Sequence, residues 1–229
     1  MKYIKKHQKN EPKTLKDYRE KTPNSTYNGF IDTGHLLKEA LLKEQGHICA
    51  YCMKRVSLDR NEVHKKPEIE VEHYLSQKNQ PNKQLDFMNM LGVCNGTSGL
   101  QKHCDKSKKH RNLSTLNPLK KDYCENLLTY TLSGKIESKS NNSEVENDIG
   151  LLKLNEDNIV DARKNVIDFA IEKLKKRLSK EHPNTQWTKK MIQDEINEWN
   201  NKDSQGKFKS YCRIGIWILE KEKAKGKYL

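Results

Sequence analysis

Residues 45–52 read Gln-Gly-His-Ile-Cys-Ala-Tyr-Cys, and they carry a C-x2-C knuckle in which two thiols are separated by two residues. A second pair of cysteines follows at positions 94 and 104. Four thiolates can close a tetrahedral zinc shell, and a closed shell stabilises a fold instead of catalysing a reaction. The pattern therefore predicts a structural zinc site, whose ligands are Cys49, Cys52, Cys94 and Cys104.

Two other interpretations of these cysteines remain open. The interval in the second pair is wider than in a simple zinc ribbon, so His103 could replace one thiol ligand. The four residues could also be unligated core cysteines, which behave as small hydrophobic side chains. Cys124 and Cys212 have no partner at ligand spacing, and we interpret them as ordinary thiols. No disulfide framework is expected, because the sequence shows no secretion signal.

The segment between the two cysteine pairs carries acidic and imidazole groups. Residues 68–74, Glu-Ile-Glu-Val-Glu-His-Tyr, alternate between polar and apolar side chains, which predicts a β-strand. Glu72 and His73 lie near its end, and Asn89 and Asp105 follow. Two oxygen ligands can hold Mg²⁺ or Mn²⁺ while a neighbouring imidazole takes a proton from water. This order of groups is the one that a one-metal phosphodiesterase requires.

These motifs resemble the zinc-braced HNH endonucleases, which have the ββα-metal fold. The resemblance covers residues 49–109 and rests on the C-x2-C knuckle, on Glu72-His73, on Asn89 and on His103-Cys104-Asp105-x2-Lys108. The flanks are similar to the PtuB-type HNH proteins of Septu and retron-associated antiphage systems. The matching flank features are Met-Lys-Tyr-Ile-Lys-Lys at residues 1–6, Glu11-Pro12, residues 45–52, and Asn117-Pro118 before the segment with Tyr130 and Gly134.

The resemblance implies a role for each matching residue. His73 matches the general base, Glu72 the acidic metal ligand, and Asn89 the residue that braces the loop holding the base. Asp105 stands where the family has its final histidine. Because a carboxylate is a harder ligand than imidazole, this departure favours Mg²⁺ or Mn²⁺ over Zn²⁺ or Ni²⁺ at the catalytic site.

The implied function is hydrolysis of DNA phosphodiester bonds with 5′-phosphate products, by a nuclease that serves as the effector of an antiphage defence complex. The implied partners are an ATPase subunit of the PtuA type and, in some systems, a retron reverse transcriptase with its nucleic acid. The alternative is a non-catalytic, zinc-stabilised module that binds nucleic acid or scaffolds a complex. That alternative explains the cysteines, but it leaves the spacing of Glu72, His73, Asn89 and Asp105 unexplained.

The charge balance also points to a polyanionic partner. The chain has 44 Lys and Arg residues against 31 Asp and Glu residues, a formal net charge of +13. Such a charge concentrates nucleic acid near the protein surface, although lysine-rich surfaces also simply keep proteins soluble. A basic run follows Asp105 and is predicted to contact phosphates, with a solvated helix face as the alternative. Its members are Lys106, Lys108, Lys109 and Arg111.

We expect an α+β protein, in which a mainly helical chain surrounds a small ββα-metal unit with a structural zinc. Residues 1–32 form an extended basic arm, residues 33–115 the nuclease core with its zinc knuckle, and residues 116–229 a hairpin and a C-terminal helical region for packing or partner docking. Apolar periodicity predicts helices, and small residues predict a hairpin turn. The predicted helices are residues 33–44, 157–178, 188–200 and a buried element around 214–219, with a hairpin over 130–138 and a loop over 139–147. No segment is apolar enough to be a signal peptide or a membrane span, so we expect a cytoplasmic protein.

Overall fold

The computed structural model describes residues 1–59, 68–98, 101–181 and 188–225. Within these ranges the protein is a mixed α+β structure, with seven α-helices and three two-stranded antiparallel sheets. The helices are α1 (Lys13–Lys21), α2 (Leu36–Gln45), α3 (Asp105–Lys108), α4 (Ser143–Leu151), α5 (Asp157–Glu181), α6 (Lys189–Asn200) and α7 (Cys212–Ala224). The strands are β1 (Ile69–His73), β2 (Met90–Cys94), β3 (Thr97–Ser98), β4 (Gln101–Lys102), β5 (Leu128–Tyr130) and β6 (Ile136–Ser138).

Strands β1 and β2 form the ribbon on which the predicted site residues lie. Ile69 pairs with Cys94 at one end of the ribbon, and His73 pairs with Met90 at the other end. The strand predicted over residues 68–74 is therefore confirmed. All five residues of β2 are buried, so the ribbon lies inside the protein instead of on its surface.

Helix α2 directly precedes the knuckle, and it overlaps the helix that the leucine spacing predicted over residues 33–44. It ends at Gly46, whose φ of +60° is a left-handed conformation that glycine adopts readily. The amide of Gln45 is buried, donates to the carbonyls of Ile48 and Gly92 at 2.9 and 2.7 Å, and accepts from Gly92 N at 2.6 Å. These hydrogen bonds fasten the knuckle to strand β2.

The prediction of an extended N-terminal arm is wrong. Residues 13–21 form helix α1, which begins directly after Pro12. The ring of Pro12 fixes its φ at −62°, a value that is compatible with the start of a helix. Leu15 is fully buried and belongs to a small core with Leu37, Phe87 and Met90. Because α1 has only one strongly apolar residue on its inner face, its sequence shows too little periodicity to reveal the helix.

The C-terminal region follows the predicted order of elements. Helices α5, α6 and α7 and the hairpin of β5 and β6 are all present, and Gly134 turns the hairpin with a φ of +91°. The predicted loop over residues 139–147 is only partly correct, because Asn142 caps α4 by accepting hydrogen bonds from Glu144 N and Val145 N. One continuous apolar core joins this region to the knuckle. Among the described residues, no helix has both the length and the apolar character needed to cross a bilayer.

Candidate metal centre and active-site cleft

The four predicted cysteines meet in one buried group. The Sγ atoms of Cys49 and Cys104 are 3.9 Å apart, and those of Cys52 and Cys94 are 3.7 Å apart. All four sulfurs lie within 4.8 Å of one another. A tetrahedral zinc site with bonds of about 2.3 Å separates its sulfurs by about 3.8 Å, whereas a disulfide holds them about 2.05 Å apart. These thiols can therefore bind a metal ion such as zinc.

Local backbone structure positions the thiols. The knuckle is a tight turn in which Met53 N donates to Cys49 O at 3.0 Å and Cys49 N donates to Lys54 O at 2.8 Å. Lys54 N also lies 3.5 Å from Cys52 Sγ, as expected for a backbone donor to a thiolate. Burial alone would raise the pKa of Cys49, but hydrogen bonds from the other thiols hold it well below its ordinary value. Burial and the hydrogen bond with Cys49 raise the pKa of Cys104 well above its ordinary value, so a metal ion would have to displace protons from this group.

His103 lies beside the thiols. Its Nδ1 is 3.2 Å from Cys104 Sγ and 3.9 Å from Cys94 Sγ, and its ring is buried. Because four sulfurs already surround one point, His103 is better placed to donate a hydrogen bond to a thiolate than to replace one. Such outer donors orient metal ligands and tune their charge.

A second group of predicted residues meets in a separate cleft of about 550 Å³. Glu72, His73 and Asp105 line it together with Gln77, Lys109 and His110. Glu72 and His73 come from the end of β1, and Asp105 is the first residue of α3. A larger cavity of about 730 Å³ lies between the N-terminal residues and α2, but it contains none of the predicted site residues.

The imidazole of His73 is held in one orientation. Its Nε2 is 2.8 Å from the carbonyl oxygen of Gln84, and its Nδ1 is 3.0 Å from the amide nitrogen of Gln77. A carbonyl can only accept, so Nε2 carries the hydrogen and Nδ1 keeps the lone pair. Burial lowers the pKa of His73, which leaves the ring neutral and able to accept a proton near pH 7. The ring of Tyr27 packs edge-on against it, with centroids 4.5 Å apart.

Asn89 ties together two segments that surround His73. Its side-chain oxygen accepts from Leu75 N at 2.8 Å, and its amide nitrogen donates to Leu75 O at 3.0 Å and to Lys83 O at 3.2 Å. Leu75 follows His73 by two residues, and Lys83 precedes Gln84, whose carbonyl binds the ring. Asn89 therefore connects the segment after His73 to the segment whose carbonyl binds its ring.

Glu72 has two buried partners. Tyr51, which lies between the two knuckle cysteines, donates to Glu72 Oε1 at 2.8 Å, and Lys108 Nζ is 2.7 Å from the same oxygen. The lysine contact is an ion pair without the alignment of a hydrogen bond. Burial and the neighbouring Asp105 carboxylate raise the pKa of Glu72 to about 8, although Lys108 opposes them. Glu72 therefore holds its proton more tightly than an ordinary glutamate does.

The structure corrects one member of the predicted phosphate-contacting run. Lys108 is 0% exposed, because α3 turns it inward onto Glu72, so it does not belong to the basic surface. Lys106 is half-buried and ion-paired with Glu70. Lys109 and Arg111 are exposed, and their contact with phosphates stays a prediction.

Several contacts in this site were not predicted from the sequence. Tyr51, Gln77 and Tyr27 surround the predicted residues, and Arg19 donates to the carbonyl of Leu85 at 2.9 Å in the loop next to Gln84. Only Tyr51 had a visible signal, because it lies inside the knuckle. Gln77 follows His73 by only four residues but belongs to no motif, whereas Tyr27 and Arg19 come from distant parts of the chain and meet the site through tertiary packing.

No protein-family model matches this chain, and no curated protein matches it. The side chains of the cleft therefore carry the information about function. These side chains are the carboxyl groups of Glu72 and Asp105, the neutral imidazole of His73, whose Nδ1 accepts a hydrogen bond from Gln77, and the exposed basic residue Lys109.

Proposed function

We propose that this chain is a metal-dependent HNH-type endonuclease that hydrolyses phosphodiester bonds of DNA. The main support is that Glu72, His73 and Asp105 line one cleft, with the lone pair of His73 Nδ1 as the available base. In this proposal β1, β2 and α3 correspond to the ββα unit, and the four cysteines hold a structural zinc beside it.

In this proposal each side chain of the cleft has its own role in hydrolysis. His73 Nδ1 accepts the proton of the attacking water, after Gln77 has released its hydrogen bond to that atom. Glu72 and Asp105 would hold the divalent cation, while Tyr51 and Lys108 fix the carboxylate of Glu72. Mg²⁺ or Mn²⁺ held there would supply positive charge against the negative charge that develops on the phosphate and on the leaving 3′-oxygen. Lys109 at the rim of the cleft is placed to contact a flanking phosphate.

Cleavage of supercoiled plasmid DNA tests the proposal. His73→Ala is expected to lower the rate by about 10²–10⁴-fold, the usual loss for a general base, with unchanged zinc content and DNA affinity. His110→Ala is the matched control, because His110 is an exposed histidine of the same cleft. Wild-type cleavage by His73→Ala would overturn the mechanism.

The two candidate metal ligands are tested in the same assay. Asp105→Ala is expected to abolish cleavage through loss of the cation, so raised Mn²⁺ should restore part of the activity. The same Mn²⁺ should not restore His73→Ala, because a metal ion does not replace the base. Identical responses of the two variants to Mn²⁺ would contradict the roles proposed here.

A specific observation favours a second candidate, a non-catalytic zinc-stabilised module that binds nucleic acid or scaffolds a complex. Glu72 already has a buried hydrogen bond and a buried ion pair, as a purely structural carboxylate would. This candidate predicts DNA binding without cleavage at any concentration of Mg²⁺ or Mn²⁺. It also predicts that Glu72→Gln changes stability without changing metal binding.

We further propose that the chain acts with an ATPase partner in antiphage defence, on the strength of its likeness to PtuB-type proteins. Residues 1–229 contain no phosphate-binding G-x4-G-K-[ST] loop, and in this proposal the partner supplies the nucleotide control. Purification from the native cell should then recover an ATPase bound outside residues 49–109, with or without a retron reverse transcriptase and its nucleic acid. A fully active, nucleotide-indifferent nuclease that co-purifies with no other protein would contradict this proposal.

A further inference from the structure

The residue that orients the imidazole of His73 is itself held by a distant segment. Gln84 O accepts a hydrogen bond from His73 Nε2 at 2.8 Å. The side chain of the same glutamine accepts another hydrogen bond at Oε1, from Tyr27 N at 3.0 Å, and these two residues are 57 positions apart in the sequence. Gln84 therefore connects the imidazole to the N-terminal part of the chain.

Tyr27 also contacts the imidazole directly. Its half-buried ring meets the ring of His73 at 78°, with centroids 4.5 Å apart. Aromatic side chains favour such an edge-to-face arrangement. The next residue, Asn28, lines the same cleft as His73. Residues 27 and 28 are thus close to the imidazole as well as to the loop that orients it.

Helix α1 fastens both of the segments that meet at the imidazole. The hydroxyl of Tyr18 donates to Thr26 O at 3.0 Å, one residue before the aromatic contact. Arg19 donates to Leu85 O at 2.9 Å, one residue after the carbonyl that binds the imidazole. The guanidinium of Arg19 is in turn paired with the carboxylate of Glu11, whose side chain is buried. Two neighbouring residues of α1 therefore fix the backbone on either side of the contact.

Apolar packing supports the same arrangement. Leu15 of α1 and Leu85 are both buried in the small core, and the ring of Tyr27 packs against that core. This cluster is distinct from the larger core that surrounds the knuckle. The position of Tyr27 and of the loop next to it thus depends on the packing of the N-terminal residues.

We propose that residues 11–28 form a clamp that holds the imidazole of His73 in one orientation, with Tyr27 as the positioning residue. The clamp acts through the ring of Tyr27 and through the hydrogen bond that its backbone donates to the side chain of Gln84. Its catalytic meaning rests on the proposed function, because a base that is misplaced by about 1 Å can lose about 100-fold in rate. The clamp itself is a property of the protein without DNA.

Hydrogen exchange of the His73 Nε2–H proton, followed by nuclear magnetic resonance, tests the clamp in the full chain prepared with zinc and without DNA. The chain has eight histidines, so the signal is assigned by its loss in His73→Ala. Tyr27→Leu removes the ring, and Gln84→Ala removes the side-chain hydrogen bond but keeps the carbonyl. Each should exchange at least about tenfold faster than wild type, because the imidazole leaves its carbonyl more often. Tyr27→Phe keeps a ring and should stay within about threefold of wild type.

Leu41→Ala is the matched control, because Leu41 is a fully buried residue of the same small core on α2. It should lower the melting temperature and leave the exchange rate within about threefold of wild type. Unchanged exchange in both Tyr27→Leu and Gln84→Ala would overturn the inference. Equal acceleration by Leu41→Ala would overturn it too, because the effect would then be a general loosening of the core. Should Tyr27→Leu fail to fold, Gln84→Ala decides the result.

Plasmid cleavage tests whether this orientation serves the reaction. Tyr27→Leu and Gln84→Ala should lower kcat by about 10- to 100-fold with little change in KM, because a misplaced base affects the chemical step and not the binding of DNA. Tyr27→Phe should retain most of the wild-type kcat. Faster exchange together with a wild-type kcat would overturn the positioning role. A wild-type protein that does not cut DNA would refute only the nuclease proposal, and the exchange rates would still decide whether the clamp exists.

Discussion

Binding of the divalent cation should depend steeply on pH because Glu72 must give up a proton. Burial, followed by the Asp105 carboxylate, raises the pKa of Glu72 to about 8, and the ammonium of Lys108 only partly offsets these effects. Below that pH each cation displaces one proton, so the apparent affinity falls about tenfold per pH unit. Because about half of the Glu72 carboxyl groups are ionised at pH 8 and about 1% at pH 6, the affinity for Mg²⁺ or Mn²⁺ should drop about 50-fold between these two values.

Isothermal titration calorimetry without DNA measures this effect. Titrations at pH 7 in two buffers of different ionisation enthalpy should show release of about one proton per cation. Glu72→Gln should remove the proton release and most of the binding. Glu70→Gln should preserve both, because Glu70 is half-buried on the same strand and pairs with Lys106. Equal affinities at pH 6 and pH 8 would refute the reasoning.

The same group affects the metal-free protein. The folded-state pKa of Glu72 lies above its ordinary value of 4.5. Its contribution to stability is therefore complete below that value and is lost as the pH rises toward 8. Glu72→Gln should flatten this part of the stability profile in chelator-treated protein.

Three further predictions concern the fold. The purified protein should hold about one zinc per chain with Zn–S distances of about 2.3 Å in X-ray absorption, and Cys52→Ser should lose the metal and unfold the central unit. Leu15→Ala should lower the free energy of unfolding, measured in urea, by about 2–5 kcal/mol. Lys16→Ala, at an exposed position of the same helix, should change it by less than about 0.5 kcal/mol. Similar values for the two variants would show that α1 is not part of the core. Gly134→Ala should lower the melting temperature, because the new Cβ would lie 2.3 Å from Val160 O and residue 134 has a φ of +91°. Gly150→Ala in α4 should not lower it, since nothing lies within 4 Å of that Cβ position.

Regular periodicity made the larger elements predictable. Helix α5 repeats apolar residues at helical spacing, and β1 alternates them, so both elements were predicted close to their observed bounds. Helix α1 was missed because Leu15 is its only buried residue, and one leucine does not define a period. The burial of Arg163 within α5 was not predicted either, because a charged residue interrupts the apolar pattern.

The site was predictable where its members belong to a motif. The two cysteine pairs are 42 residues apart, and they were predicted to meet because together they supply the four thiols of a zinc shell. Glu72, His73 and Asp105 were predicted from their order relative to the cysteines. The basic run after Asp105 did not show which side chain faces inward, because α3 has only one turn and buries Lys108. The contacts of Gln84 and Tyr27 with His73 depend on how the N-terminal region packs, and local patterns carry no information about that.

The position of Tyr51 has a consequence for the order in which the protein matures. Tyr51 lies between Cys49 and Cys52 and donates to Glu72, while Asp105 directly follows Cys104. In the proposed enzyme both carboxylates thus depend on a closed thiolate shell for their placement. Zinc would have to load first, and the catalytic cation would enter a site that did not exist before. A newly made chain that had not yet met zinc would carry every catalytic residue and still be harmless to the DNA of its own cell.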